Sequence, residues 1–441
     1  MAVDTVVEAL AAQAIEHRKR MTEPDVERWS RRAFVDWLGV SLGGSAGLPA
    51  QALLAGLLPA TGPSRIMGST ERVAPSVAAM VNGAAAHTQE LDDIYAPGLY
   101  HPGAPTVAAA LAEADRIDTS IGRLLRAIAI GYEVGCRVAA DLGPTHYGHW
   151  HTTGTAGALG SSAAVADLHD ADIPTFVNAL SLAATMCGGL QQTFRSDAEG
   201  KPMHAGAAAQ AGVVAAAAAA GGLSGARNVL EGPAGLAVAT GTDTNWQISR
   251  AAWDEAPAIA RITVKPYQCC GHAFAPIDAA LSLRGRVRGH TVDEVVVETY
   301  SAAVAVAGIA EPVSPAERRF SIAHLVSAAL TRDPAQPFDP GVEPDAGLRT
   351  LTRRVRLVVD REFDERFPSR RGARVTVSVN GDRYSAEVPD RSGSPEKPLD
   401  DEQLGIKFVT ASGLGSARAW SLLARLEETE SSVPVGALDL G

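Results

Sequence analysis

Lysine and cysteine are both scarce in this chain of 441 residues. The four cysteines, Cys136, Cys187, Cys269 and Cys270, form no CxxC pair. Adjacent Cys269 and Cys270 read as reduced thiols. That excludes a disulfide-stapled scaffold and fits a reducing, cytoplasmic compartment. Positive charge is also in deficit, with a formal net charge of -11. The basic stripe expected of nonspecific nucleic-acid binding is therefore missing, although a local cationic pocket for an anionic substrate is compatible with an acidic protein. Asp4 and Glu8 precede any basic residue, so the beginning of the chain lacks the basic region of a signal peptide. No GxxxxGK[ST] phosphate loop, GxSxG elbow or HExxH zinc motif occurs, which removes the usual signatures of nucleotide, serine-hydrolase and zinc-protease chemistry. The glycines from Gly154 to Gly160 follow no evident strand, so helix packing explains them better than dinucleotide binding. Ala205 to Leu223 is long enough to span a bilayer, at about 20 residues. It is mostly alanine and glycine with Gln210 inside, which reads as a close-packed helix in a soluble bundle, with no membrane partner.

What is present is an ordinary globular composition, 46% hydrophobic and 20% charged, of a length for roughly two to three domains. Apolar residues recur at helical spacing over Val6 to Arg20, Asp25 to Leu42, Ala78 to Glu90, Pro105 to Ala114, Ile121 to Leu142, Thr155 to Leu168, Pro174 to Cys187 and Ala205 to Ala220. The texture changes after Lys265. Helices over Pro276 to Val287 and Pro315 to Leu330 alternate with strands over Asp293 to Tyr300 and Val355 to Val359. Arg374 to Val379 and Tyr384 to Val388 flank Asn380-Gly381, a type I′ hairpin signal. Arg391 to Pro398 reads as a linker, and Asp401 to Glu427 returns to helix. The fold class expected is mainly α: a large all-helical domain from both chain ends (1–265 and 399–441) and a smaller α+β domain (266–398).

The five lysines stand at 19, 201, 265, 397 and 407, against 34 arginines. Arginine stays charged, whereas lysine can shift its pKa and act as acid or base. Lys201 and Lys265 each precede a proline and have a histidine shortly downstream, His204 and His272. One such lysine is ordinarily a solvated surface residue; the repeated pattern points to a site. Histidine is the natural partner, because it titrates near neutrality. His101 lies in a Pro/Gly-rich loop after Glu90, Asp92 and Asp93, and His146, His149 and His151 form a second cluster. The carboxylates could equally cap a helix end. A metal held by His149, His151 and Asp93 is the rival reading, and no recognised ligand spacing supports it.

Taken together, these motifs resemble the MmgE/PrpD family, which includes 2-methylcitrate dehydratase, cis-aconitate decarboxylase and iminodisuccinate epimerase. The resemblance rests on Glu90-Leu-Asp-Asp93 with His101-Pro, Gly131-Tyr-Glu-Val134, His151-Thr-Thr-Gly-Thr-Ala-Gly157, Lys201-Pro-Met-His204-Ala-Gly206, Leu230-Glu-Gly232, Lys265-Pro-Tyr267 through Ile277-Asp278-Ala279, Arg319-Phe-Ser321 and Lys407-Phe408. Their order and spacing make the set specific. The resemblance implies a helical domain with an α+β lid, a homodimer, an active site in the cleft between domains, and neither metal nor organic cofactor. It implies a small carboxylate substrate, with proton transfer next to a carboxylate and loss or addition of water, decarboxylation or epimerisation. Carried over residue by residue, His101, His151, Lys201 and Lys265 are the catalytic set. Glu90, Asp93, Ile94, His149, Tyr267, Cys270, His272 and His324 are the substrate-binding candidates. Four positions depart from the family pattern: Glu90 stands for an aspartate, Ile94 for a threonine, Cys270 for a histidine and His324 for a tyrosine. These changes spare the scaffold, alter the pocket and argue against the cis-aconitate decarboxylase activity itself.

Overall fold

The computed structural model describes residues 5–58, 61–196, 198–254, 256–331 and 342–440. The chain divides into two compact units, Met1–Val264 with Asp401–Gly441, and Lys265–Asp400. The first unit is helical and the second mixes helices with a four-stranded sheet, so the fold is mainly α.

Local chemistry accounts for the helix starts in the first unit. Thr5 and Glu8 make a reciprocal capping box before Val6–Glu16. Prolines open Pro24–Gly44 and Pro75–Thr88 at the position where a missing N–H costs least. Helices Pro75–Thr88, Gly103–Ile117, Thr152–Leu168 and Lys201–Ala220 pack against one another with small residues at their crossings. A Cβ at Gly206 would lie 2.2 Å from the carbonyl oxygen of Met80, and one at Gly160 2.8 Å from that of Gly131. The alanine–glycine run is therefore a close-approach surface, and Ala205, Ala208, Ala209, Ala215 and Ala216 are buried on it. Gly154 to Gly160 lies inside Thr152–Leu168, a helix buried along its whole length.

The helix predicted to stop at Leu142 continues to Tyr147 after a kink at Gly143, whose φ of 61° precedes Pro144. Leu48–Leu57 is a further helix; apart from Ala50 its residues are at most partly buried, so its sequence carries little periodic signal. Asp401 to Glu427, read as one helix, is two, Asp401–Ser412 and Ser416–Glu428. The break falls at Gly413 and Gly415, both at positive φ. The first of these helices packs on Pro24–Gly44 and delivers buried Lys407, which donates to the Leu91 carbonyl at 2.9 Å and pairs with buried Asp36 at 2.5 Å.

In the second unit, strand Val292–Thr299 pairs parallel with Val355–Val359 and antiparallel with Ala373–Val379, which pairs with Asp382–Val388. Alternate residues of Ala373–Val379 are buried, the period-2 pattern of a strand with one covered face. Helices Phe274–Val287 and Ile322–Thr331 pack with this sheet around Phe274, Ile277, Val295, Val375 and Val377. The hairpin turns on Asn380 and Gly381 with φ of 52° and 88°, as a type I′ turn requires. Two expectations are corrected. Pro315 to Leu330 is interrupted, because Ser321 instead bridges to Gly308 and its hydroxyl donates to the Ile309 carbonyl. Arg391 to Pro398 is no loose linker. Arg391, Ser392 and Ser394 are buried, and the Ser392 N–H donates to Asp278 at 2.7 Å.

Candidate active site

Several helix ends of the helical unit meet at one buried group of imidazoles. His87 lies in the last turn of Pro75–Thr88. The chain then turns through Glu90, which takes a left-handed φ of 57°, into Asp92 and Asp93. These carboxylates therefore lie beyond the helix rather than in it. His101 precedes helix Gly103–Ile117, and His151 is the N-cap residue of Thr152–Leu168. Lys201 and His204 occupy the first turn of Lys201–Ala220. Ring centroids are 4.9 Å apart for His87 and His101, 5.3 Å for His87 and His151, and 5.4 Å for His151 and His204. Phe194 meets His151 edge to face at 4.7 Å, and the Lys201 ammonium lies 5.4 Å from the centre of the same phenyl ring.

The backbone around the group is pinned. His151 N–H donates to the Gly189 carbonyl at 2.8 Å, His101 N–H to the Thr153 hydroxyl at 3.2 Å, and Lys407 to the carbonyl of Leu91. Asp93 is part of this frame. Its two carboxylate oxygens accept from Tyr132 at 2.7 Å and from Gly103 N–H at 2.9 Å, and burial lifts its pKa to about 7. Asp92 behaves in the opposite way. Burial pushes its pKa up, but the neighbouring His87 and His101 outweigh that and hold it well below the usual carboxylate range. Its Oδ2 accepts from His87 Nδ1 at 2.6 Å and lies 3.2 Å from His101 Nδ1.

Burial, reinforced by the surrounding histidines and Lys201, depresses His151 well below the ordinary imidazole value, and His204 is lowered for the same reasons. At neutral pH both rings are neutral and able to accept a proton. Lys201 goes the other way. Burial alone would lower its pKa, but its ion pair with Glu90 raises it. Lys201 is thus a fixed positive charge rather than a base. Neutral imidazoles beside a held ammonium can bind a carboxylate and move a proton close to it.

His87, Asp92 and His101 also have ligand atoms within 4.8 Å of one another, as a metal site needs. However, the 2.6 Å from His87 Nδ1 to Asp92 is a hydrogen-bond length. Zinc ligands each about 2.0–2.2 Å from an ion in tetrahedral array stand farther apart than that.

The remaining predicted positions are described within their own units. His149 is exposed, its backbone carbonyl taken by Gln191 N–H. Ile94 is half-buried and exchanges backbone hydrogen bonds with Thr263 at 2.9 and 2.8 Å. In the α+β unit, Lys265 is buried. The Tyr267 hydroxyl donates to Asp278 at 2.7 Å, and burial raises its pKa. His272 Nδ1 lies 2.7 Å from the Tyr300 hydroxyl, and burial together with the charges of Arg371 and Arg391 lowers its pKa to about 4. Cys270, whose N–H donates to the Arg319 carbonyl, is raised by burial. His324 is buried in helix Ile322–Thr331. The histidine–lysine reading of the sequence missed His87, Asp92 as a ring partner, and Phe194. His87 sits five residues before Asp92, a spacing that a helix end followed by a left-handed turn folds into contact.

A buried imidazole cluster with one held ammonium, on a helical scaffold closed by both chain ends, defines a class of acid–base site. The sequence matches the MmgE/PrpD N-terminal domain over residues 8–249 and the MmgE/PrpD C-terminal domain over residues 267–423. The protein belongs to the MmgE/PrpD family. It is 26% identical over 388 residues to cis-aconitate decarboxylase of Aspergillus terreus, covering 80% of this chain and 77% of that protein. It is 34% identical over 174 residues to human cis-aconitate decarboxylase, covering 37% of this chain and 35% of the human protein. The mouse protein of the same name matches at 32% over 169 residues, 36% of this chain and 33% of its own length.

Proposed function

We propose that this protein is a lyase of small di- or tricarboxylates that shifts a proton on carbon next to a carboxylate and releases carbon dioxide or water. The observation that carries the reading is the group of buried His87, His101 and His151 and half-buried His204 with charged Lys201 at its edge. Family membership adds the substrate class. Decarboxylation is placed first because the relatives from a fungus and two mammals are decarboxylases. In this reading Lys201 holds a substrate carboxylate and stabilises the enolate-like intermediate, where preorganised charge is worth most. Lys265 is assigned the same task for a second carboxylate. His101 or His151 transfers the proton.

The chemistry is assigned to side chains alone, so prolonged chelation is expected to leave turnover unchanged. The working species is proposed to be a homodimer. Helix Lys201–Ala220 leaves Met203, Ala207, Val214 and Ala217 exposed along one stripe, with Met186 and Leu190 exposed just upstream. Light scattering of the purified protein and of a Met203→Glu/Val214→Glu variant reads the oligomeric state.

The test of function is incubation with cis-aconitate, citrate and a series of dicarboxylates in deuterated water, followed by mass spectrometry. Loss of carbon dioxide or of water from one member supports the proposal. Deuterium uptake with no net loss replaces it with epimerisation by the same residues. No turnover and no exchange across the panel sinks it.

A further inference from the structure

Resting on the acid–base reading, a further role can be assigned within the imidazole cluster. Asp92 Oδ2 is the shared partner of two imidazole nitrogens, His87 Nδ1 at 2.6 Å and His101 Nδ1 at 3.2 Å. The Asp92 and His87 side chains are 2% and 0% exposed. An ionised carboxylate only accepts hydrogen bonds, so His87 Nδ1, which is hydrogen-bonded to it, carries the proton, and the ion-pair contact at His101 Nδ1 favours a proton there as well. His87 is then an Nδ1–H tautomer with Nε2 as its proton acceptor, and the carboxylate favours the same state for His101. His87 Nε2 is buried and makes no hydrogen bond among the described residues. Its ring is stacked on that of His151, with an interplanar angle of 26°.

Anchoring the chain does not explain Asp92, because the adjacent carboxylate already does that. Asp93 ties Tyr132 to the start of helix Gly103–Ile117. Two neighbouring acids in opposite environments commonly mark two roles.

We propose that Asp92 is the positioning residue of the proton-transfer step: it locks His87 and His101 as Nδ1–H tautomers and balances the imidazolium formed when a ring nitrogen is protonated, with His87 as a second imidazole of the proton path. In proton abstraction the substrate C–H bond breaks, its electron pair stays on the substrate, and His101 Nε2 gains the proton beside the Asp92 carboxylate. In decarboxylation the C–C bond breaks, the pair stays on carbon, and the imidazolium returns the proton there. The groups that interact electrostatically with this pair are Asp93 from its own segment, His151 from the start of Thr152–Leu168, Lys201 and His204 from Lys201–Ala220, and Asp36 from Pro24–Gly44; Glu90 pairs with Lys201, and Lys407 from Asp401–Ser412 pairs with Asp36.

The test has two arms on the full chain. In the first, 15N-histidine NMR of the resting protein, with His87→Gln and His101→Gln variants for assignment, reads the tautomers without any substrate. Nδ1–H signals for both rings, lost or mixed in Asp92→Asn, are expected. Nε2–H tautomers, or tautomers indifferent to Asp92→Asn, overturn the proposal. In the second, turnover of the active member of the carboxylate panel is followed against pH. Asp92→Asn should lower kcat by about 10³–10⁴, as when a catalytic histidine loses its orienting aspartate. KM should stay within about threefold, the acid limb should move to lower pH, and Asp92→Glu should restore part of kcat. A raised KM with kcat intact overturns it. If no panel member reacts, the functional reading fails and the tautomer measurement still decides this one.

Discussion

At the scale of single residues, charge state is set by neighbours more than by residue type. By residue type Lys201 could serve as an acid, a base or a fixed charge. Its ion pair with Glu90 raises its pKa, so the work proposed for it is electrostatic. Lys201→Ala is expected to lower kcat/KM by about 10²–10³, the cost of losing one preorganised charge. Near-wild-type turnover in a folded Lys201→Ala/Lys265→Ala variant would refute the assignment. His146 was grouped with His149 and His151 by sequence, and the structure separates the three. His146 is buried between the Thr155 and Thr242 hydroxyls, at 2.8 and 3.3 Å, and burial lowers its pKa to about 4. Because the unfolded chain protonates near pH 6.5, this residue does not penalise stability above that pH. Stability falls as pH drops from about 6.5 to 4, by on the order of 3 kcal/mol. Thermal melts over that range should fall less steeply for His146→Gln than for the wild type.

At the scale of elements, the long periodic helices were legible and their interruptions were not. Apolar spacing locates Pro24–Gly44 and Lys201–Ala220 because one face of each meets other helices. The breaks at 319–321 and 413–415 depend on partners distant in sequence or on backbone twist, which no local pattern records. Arg391 to Pro398 has a linker's composition, yet Asp278 and the Gly271 carbonyl bind it through Ser392 and Arg391. Gly206→Ala separates propensity from packing. Alanine should gain about 1 kcal/mol of helix propensity. The added methyl, however, meets the Met80 carbonyl oxygen at 2.2 Å, and overpacking of that kind costs about 1–3 kcal/mol. Net destabilisation in urea melts is expected, whereas Ala55→Ser, at an exposed position of helix Leu48–Leu57, should stay within about 0.5 kcal/mol.

At the scale of the whole molecule, the helical unit is completed by residues nearly 400 positions from its first helix. Lys407 enters from Asp401–Ser412 to neutralise Asp36, whose pKa burial raises and Lys407 opposes, and to hold the Leu91 carbonyl beside the imidazole cluster. Lys407→Met leaves Asp36 buried without its cation. A loss of about 3–5 kcal/mol is expected in denaturant unfolding, partly recovered in Asp36→Leu/Lys407→Met. A single variant as stable as the wild type would show that the pair does not hold the two chain ends together.

The sequence by itself determined the mainly helical class, the hairpin at Asn380-Gly381 and the family. These depend on local periodicity, on turn residues and on the order of short motifs. It also singled out His101, His151, Lys201 and Lys265, because histidine and scarce lysine carry chemistry wherever they fall. Only the tertiary structure decided that His101 and His151 share one cluster with buried His87 and half-buried His204, that His149 is left at the surface, and that Lys201 is held charged. Those outcomes depend on distances between helix ends and on burial, and both arise only once the chain is packed.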